Sequence, residues 1–143
     1  MEEKQVVCMK KGIILFMTLC LVIGMPGCDT FGRKETKVKD LEFVVVSESA
    51  IPEELLLTLE EMKVESFHYV YSDREYLYIC VGYGEQKHSG YSIAVDGLYL
   101  TDKAIHAETT LIGPGSEKLK RNTPSYPYIV LKTDYLEQTV IVK

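Results

Sequence analysis

The stretch FHYVYSDREYLYICV, residues 67–81, alternates apolar and polar positions on either side of a polar break. Phe67, Tyr69 and Tyr71 fall on one face of the first run, because successive side chains of a strand point to opposite sides. Ser72-Asp73-Arg74-Glu75 is rich in turn formers, and Leu77, Ile79 and Val81 share a face of the second run. The pattern predicts a β-hairpin. Downstream, Tyr91 to Leu100 and Ala104 to Leu111 read as a second hairpin about a Thr101-Asp102-Lys103 turn. Asp96-Gly97 breaks the alternation and predicts a bulge in the outgoing strand. Tyr128 to Lys132 reads as a further strand, and Thr139 to Val142 as a strand pairing at an edge.

Upstream of the first hairpin, Leu41 to Ser47 has the apolar density of a short buried strand. A helix is expected to open over Ser49 to Leu55, with Ser49 or Ala50 near its cap, Pro52 in its first turn, and Glu53 and Glu54 complementing its dipole. Leu55, Leu56, Leu59 and Met62 recur at helical spacing and predict a core-facing stripe. The fold class is therefore α+β: mainly antiparallel β-sheet with one amphipathic helix. Its expected core is Val44, Leu55, Leu59, Ile79, Val81, Ile93, Val95, Ile129 and Leu131.

The N-terminus has another character. Lys10-Lys11 precede an uncharged stretch of fourteen residues, Gly12 to Met25. A membrane-spanning helix takes roughly 20 residues, so this length fits the apolar region of a secretory signal peptide. Met9 makes a cleaner start for such a signal than Met1. The stretch ends in Met25-Pro26-Gly27-Cys28, which resembles a bacterial lipobox, the Leu, small residue, Gly or Ala, then Cys that precedes lipid attachment. The resemblance implies that residues 1–27 are removed, that Cys28 receives a diacylglycerol thioether, and that a palmitate analogue would label it. Attachment at a cysteine has a chemical reason, since the thiolate is the strong nucleophile among side chains. The expectation is an extracytoplasmic protein, lipid-anchored to the cell membrane through Cys28. Residues 28–40 are read as the lipidated cysteine and a flexible tether, because they are dense in charge and lack apolar period. The globular domain is then residues 41–143.

Charge and cysteine content narrow the function. The chain of 143 residues carries a net charge of -5, which becomes -6 once two acids and three bases leave with residues 1–27. That balance argues against a nucleic-acid partner, which calls for a basic surface. Of the cysteines, Cys8 and Cys20 lie in the removed segment, leaving Cys28 and Cys80. Cys80 sits in the apolar run Tyr78-Ile-Cys-Val81 and reads as a small core residue.

Three motifs in fixed order carry a resemblance: Gly90-Tyr91-Ser92-Ile93-Ala94-Val95, then Gly113-Pro114-Gly115, then Tyr126-Pro127-Tyr128-Ile129-Val130. Over about residues 75–133 the chain resembles the PrcB C-terminal domain family, named for a subunit of a bacterial surface protease complex. The family is mostly small secreted or lipid-anchored proteins, and the resemblance implies protease association as the kind of partnership to look for. Physically, Gly90 permits a sharp turn into the Tyr91 strand, Pro127 suits the first residue of a strand, and Tyr126 and Tyr128 present large rings with hydroxyls needing partners.

No catalytic chemistry emerges from spacing. His68, His88 and His106 are isolated, no His-x-x-x-His or Cys-x-x-Cys pair predicts a metal site, and Gly82-Tyr-Gly84 lacks the rest of a phosphate loop. No catalytic residue, metal or cofactor is expected. The sequence reading is a non-enzymatic binding or accessory module of an envelope protein complex, protease-associated as the family name suggests. Its candidate protein-binding residues are Tyr126, Tyr128, Lys118, Lys120 and Arg121. The alternative is a small envelope hydrolase with a site not recognisable from spacing.

Overall fold

The computed structural model describes residues 35–116 and 121–143. Cys28, the signal segment, the start of the tether, Lys118 and Lys120 lie outside the described residues. Among the described residues, no helix is long and apolar enough to cross a membrane.

Within the described residues, eight strands and one α-helix follow one another as β1 (Lys37–Asp40), β2 (Val44–Val45), α1 (Glu53–Met62), β3 (Ser66–Ser72), β4 (Tyr76–Tyr83), β5 (Ser92–Thr101), β6 (Ala104–Ile112), β7 (Tyr128–Asp134) and β8 (Thr139–Val142). They form two four-stranded sheets. Sheet A has the order β1-β5-β6-β8 and sheet B the order β2-β7-β4-β3. Every pairing is antiparallel except β6 with β8. The α+β reading and both predicted hairpins hold, and the register shift between Val95 and Gly97 is the bulge expected at Asp96-Gly97.

The sheets stack face to face over a core of Leu77, Ile79, Val81, Leu98, Ile105, Ala107, Ile129 and Leu131. The helix covers the other side of sheet B, where Ile51, Leu55 and Leu59 meet Tyr78, Cys80 and Val130. Three layers result, and β4 lies buried on both sides over residues 77–82. This explains why Tyr76–Tyr83 is almost continuously apolar or aromatic: a strand covered on both faces has no solvent side to make polar. Each fully buried leucine, such as Leu55 or Leu59, contributes about 1.5–3 kcal/mol through the area it removes from water.

Three expectations require correction. Val44 is 66% exposed rather than core. Edge strand β2 is only two residues long, and it is Phe43 and Val46, on either side of it, that reach the two apolar clusters. The helix begins at Glu53, not at Ser49, and Glu48–Ala50 forms a separate 3-10 turn. Pro52 is the cause: its ring forces Ile51 out of helical geometry (ψ 134), so the α-helix starts only after the proline. Finally, the folded unit reaches upstream of Leu41. Lys37–Asp40, assigned to the tether, is strand β1 on the edge of sheet A. Thr36 closes a pair of bonds with Asp102, its N–H donating to the Asp102 carboxylate (2.9 Å) and its carbonyl accepting from Asp102 N–H (3.0 Å). Charge alone did not reveal this strand, because an edge strand exposes its side chains and tolerates lysine.

Candidate functional site

The sandwich has two ends. At one lie the β3–β4 and β5–β6 turns, and there the N-terminal chain joins through the Thr36–Asp102 pair. At the other lie the 84–91 loop and residues 113–116 and 121–127, where all three sequence motifs begin.

The motif loops are bound to each other by main-chain bonds. Gln86 and Ser125 form a two-way bridge, with N–H to carbonyl distances of 2.8 and 3.0 Å. Ser89 N–H donates to the Arg121 carbonyl (3.1 Å), Arg121 N–H donates back to Ser89 Oγ (3.3 Å), and Ser125 Oγ donates to the His88 carbonyl (2.7 Å). Tyr83 N–H donates to the Pro127 carbonyl at 3.0 Å, so the 121–127 loop is tied to the end of β4 as well. Gly84 has a left-handed backbone (φ 69), and a Cβ there would stand 2.9 Å from the Ser66 nitrogen. Gly90, at φ 93, makes the sharp turn expected before Tyr91.

The candidate residues meet different surroundings on this frame. Tyr126 is partly buried; its hydroxyl donates to Glu85 Oε2 at 3.3 Å, and Lys63 Nζ stands 5.7 Å from its ring centre. Lys63 also pairs with Glu60, and that hydrogen bond raises its pKa. Tyr128 packs against the helix-side cluster, and burial pushes its hydroxyl pKa up. Arg121 is exposed, its backbone held by Ser89 while its side chain stands clear. Between β2 and the start of β7, Val45, Val46, Glu48, Tyr126, Pro127 and Tyr128 line a shallow groove of about 270 Å³. The fold thus brings Tyr126 and Tyr128 together on one rim of this groove.

A second polar cluster escaped the sequence reading. His106 is only 2% exposed although it lies on the outer side of sheet A. Its Nε2 meets Glu35 Oε2 at 2.6 Å, and the Tyr99 ring stacks on it at 5.2 Å and 8°. Tyr99 in turn donates its hydroxyl to Glu108 Oε1 (2.7 Å), which raises the tyrosine pKa. His106 and Glu35 are 71 positions apart, so no local spacing could have joined them. The cluster clamps the N-terminal chain onto sheet A. Among the described residues no group of three or more His, Cys, Asp or Glu is placed to hold a metal. The Cys80 thiol is fully buried, and burial pushes its pKa up to about 12, so it stays a protonated core group.

The family model described as PrcB C-terminal matches residues 77–134. The limits of the match are nearly those read from the motifs. No curated protein and no solved structure matches the chain. The matched segment runs from β4 to β7, and those four strands are the central pair of each sheet. All four edge strands and the helix come from outside it.

Proposed function

We propose that this protein is a lipid-anchored, extracytoplasmic accessory module, without catalysis of its own, that docks on an envelope protein complex containing a protease. The observation that carries the reading is the polarity of the sandwich. The N-terminal chain joins the folded unit at the turn end, and the motif loops of the PrcB C-terminal domain lie at the opposite end. Only residues 29–34 separate a lipidated Cys28 from Glu35, a reach of roughly 20–25 Å when stretched. Strand β5, with ten residues, spans about 33 Å from the turn end to the motif loops. The tether is too short to turn the domain head down, so the Tyr126 and Arg121 end stays available to a neighbouring protein. A partly exposed aromatic and an exposed arginine at the same end of the domain are the residue types enriched at interface anchors.

Two experiments test the parts separately. Cys28→Ala should abolish labelling by a palmitate analogue and release the protein from membranes; equal labelling of both forms would refute the anchor. Arg121→Glu should leave the melting temperature close to wild type, since changes at exposed positions usually stay within about 0.5 kcal/mol, and Tyr126→Ala, at a half-buried position, should cost only about 1 kcal/mol, the scale of its hydroxyl bond to Glu85. The same variants should lose in-cell crosslinks to the partner. Crosslinks undiminished in both variants would remove the loop end as the docking surface.

A further inference from the structure

The four sheet edges are not equally protected. A free strand edge offers unpaired N–H and C=O groups to any passing chain, and proteins blunt such edges with charge, proline, bulges or shortness. Strand β1 has four residues, carries Lys37, Lys39 and Asp40, and is bulged. Strand β2 has two residues, and β8 has four. Strand β3 has none of these defences. Its seven residues, Ser66-Phe-His-Tyr-Val-Tyr-Ser72, include no charged residue and no proline, and they pair with β4 in unbroken register. Its outer edge has no main-chain partner among the described residues. Seven residues span about 23 Å, with alternate N–H and C=O groups turned outward.

The side chains and flanks define what fits. Phe67, Tyr69 and Tyr71 form a half-buried aromatic shelf on the helix side, while His68 and Val70, the latter 39% exposed, line the other face. Carboxylates flank both ends. Glu61 and Glu65 line a groove with Ser66 and Phe67, and Asp73 and Glu75 follow Ser72, with Arg74 the one cation between them. A second copy laid antiparallel would set Glu61 and Glu65 of one chain against Asp73 and Glu75 of the other. A parallel copy would set like carboxylates side by side. Self-pairing is therefore opposed by charge, whereas a strand with basic ends is favoured.

From this we infer that the open edge of β3 is a strand-addition site for an extended segment of a partner protein, alternating apolar and small polar residues between lysine- or arginine-bearing ends. Main-chain bonds would supply the affinity, and the aromatic shelf with its acidic flanks the selection. The Ser66 end of this edge adjoins the Tyr126 loop end, where Glu85 N–H donates to the Val64 carbonyl (3.0 Å), but strand addition along residues 66–72 does not depend on Tyr126.

The test uses the full chain in detergent and a short synthetic peptide of alternating valine and threonine with lysine and arginine at both ends. Amide hydrogen exchange should slow within residues 66–72 and not at β1 or β8. A peptide with glutamates at its ends should bind roughly tenfold more weakly, and one with a central proline should give no protection. Val70→Lys, at an exposed position, should keep the fold and weaken binding of the basic peptide. No protection of residues 66–72 at millimolar peptide, or equal protection by the proline peptide, would overturn the inference. Self-association that Val70→Lys abolishes in sedimentation would overturn it too, by making a second copy the occupant.

Discussion

The outer faces of the two sheets have opposite fates. The outside of sheet B is roofed by α1 and is apolar, with Tyr78, Cys80 and Val130 beneath Leu55 and Leu59. The outside of sheet A has no helix over it among the described residues and is polar, with Glu35, Tyr99, His106 and Glu108 joined through their side chains. A face roofed by a helix gains from area removed from water, which is non-directional and tolerant of small shifts. A face without a roof must satisfy each polar group individually, and its order depends on the geometry of a few hydrogen bonds. The helix-covered face is therefore expected to be the main store of stability, and the open one the place where the N-terminal chain is positioned.

The largest effect should come from beneath the roof. Leu59→Ala removes a fully buried side chain between helix and sheet and should cost about 2–5 kcal/mol in chemical denaturation. A loss below about 1 kcal/mol would mean that the helix layer is dispensable, and the contrast between the faces would fail. On the open face, Tyr99→Phe keeps the ring on His106 but deletes the hydroxyl bonded to Glu108, and should cost about 0.5–1.5 kcal/mol. A loss equal to that of Leu59→Ala would show that the polar face is no mere positioning device.

A smaller effect should appear with pH at the rim of the roofed face. The Asp73 carboxylate accepts from Tyr76 N–H (2.8 Å), Glu75 N–H (3.1 Å) and the Tyr78 hydroxyl (3.2 Å). The backbone bond from Tyr76, chiefly, and its companions hold its pKa below the ordinary 3.8. A depressed carboxylate stabilises the fold above its unfolded-state pKa, and that share is lost as pH falls through the folded-state value. The melting temperature of Asp73→Ala should thus differ from wild type most at neutral pH, with the gap narrowing below about pH 4. A gap independent of pH would assign the role of Asp73 to shape alone. The smallest expected signal is none: Cys80, its thiol pKa raised to about 12 by burial, should resist maleimide in the native protein and react once denatured. Rapid native labelling would mean that the roof opens.

The fold was legible where side-chain periodicity was strong. Residues 67–81 announced their hairpin through alternation, Asp96-Gly97 its bulge, and Leu55, Leu56, Leu59 and Met62 their helical stripe, because these patterns record which side of an element meets the core. The motifs at Gly90, Gly113 and Tyr126 identified the segment that the family model matches, because turns and strand openings constrain residue type locally. Strand β1 was missed because Lys37, Lys39 and Asp40 pair through the backbone alone and leave their side chains in water.

By itself, the sequence determined the class of the domain, its two hairpins in their order along the chain, and the buried character of Cys80. Each is a local property, set by period, turn chemistry or composition. Tertiary structure alone decided which strands became centre and which became edge, that β3 was left open, and that Glu35 reaches His106 across 71 positions. It also decided that the motif loops close on one another at the end away from the N-terminal chain. These are outcomes of packing two sheets and a helix together, and no window of sequence contains both partners of such a contact.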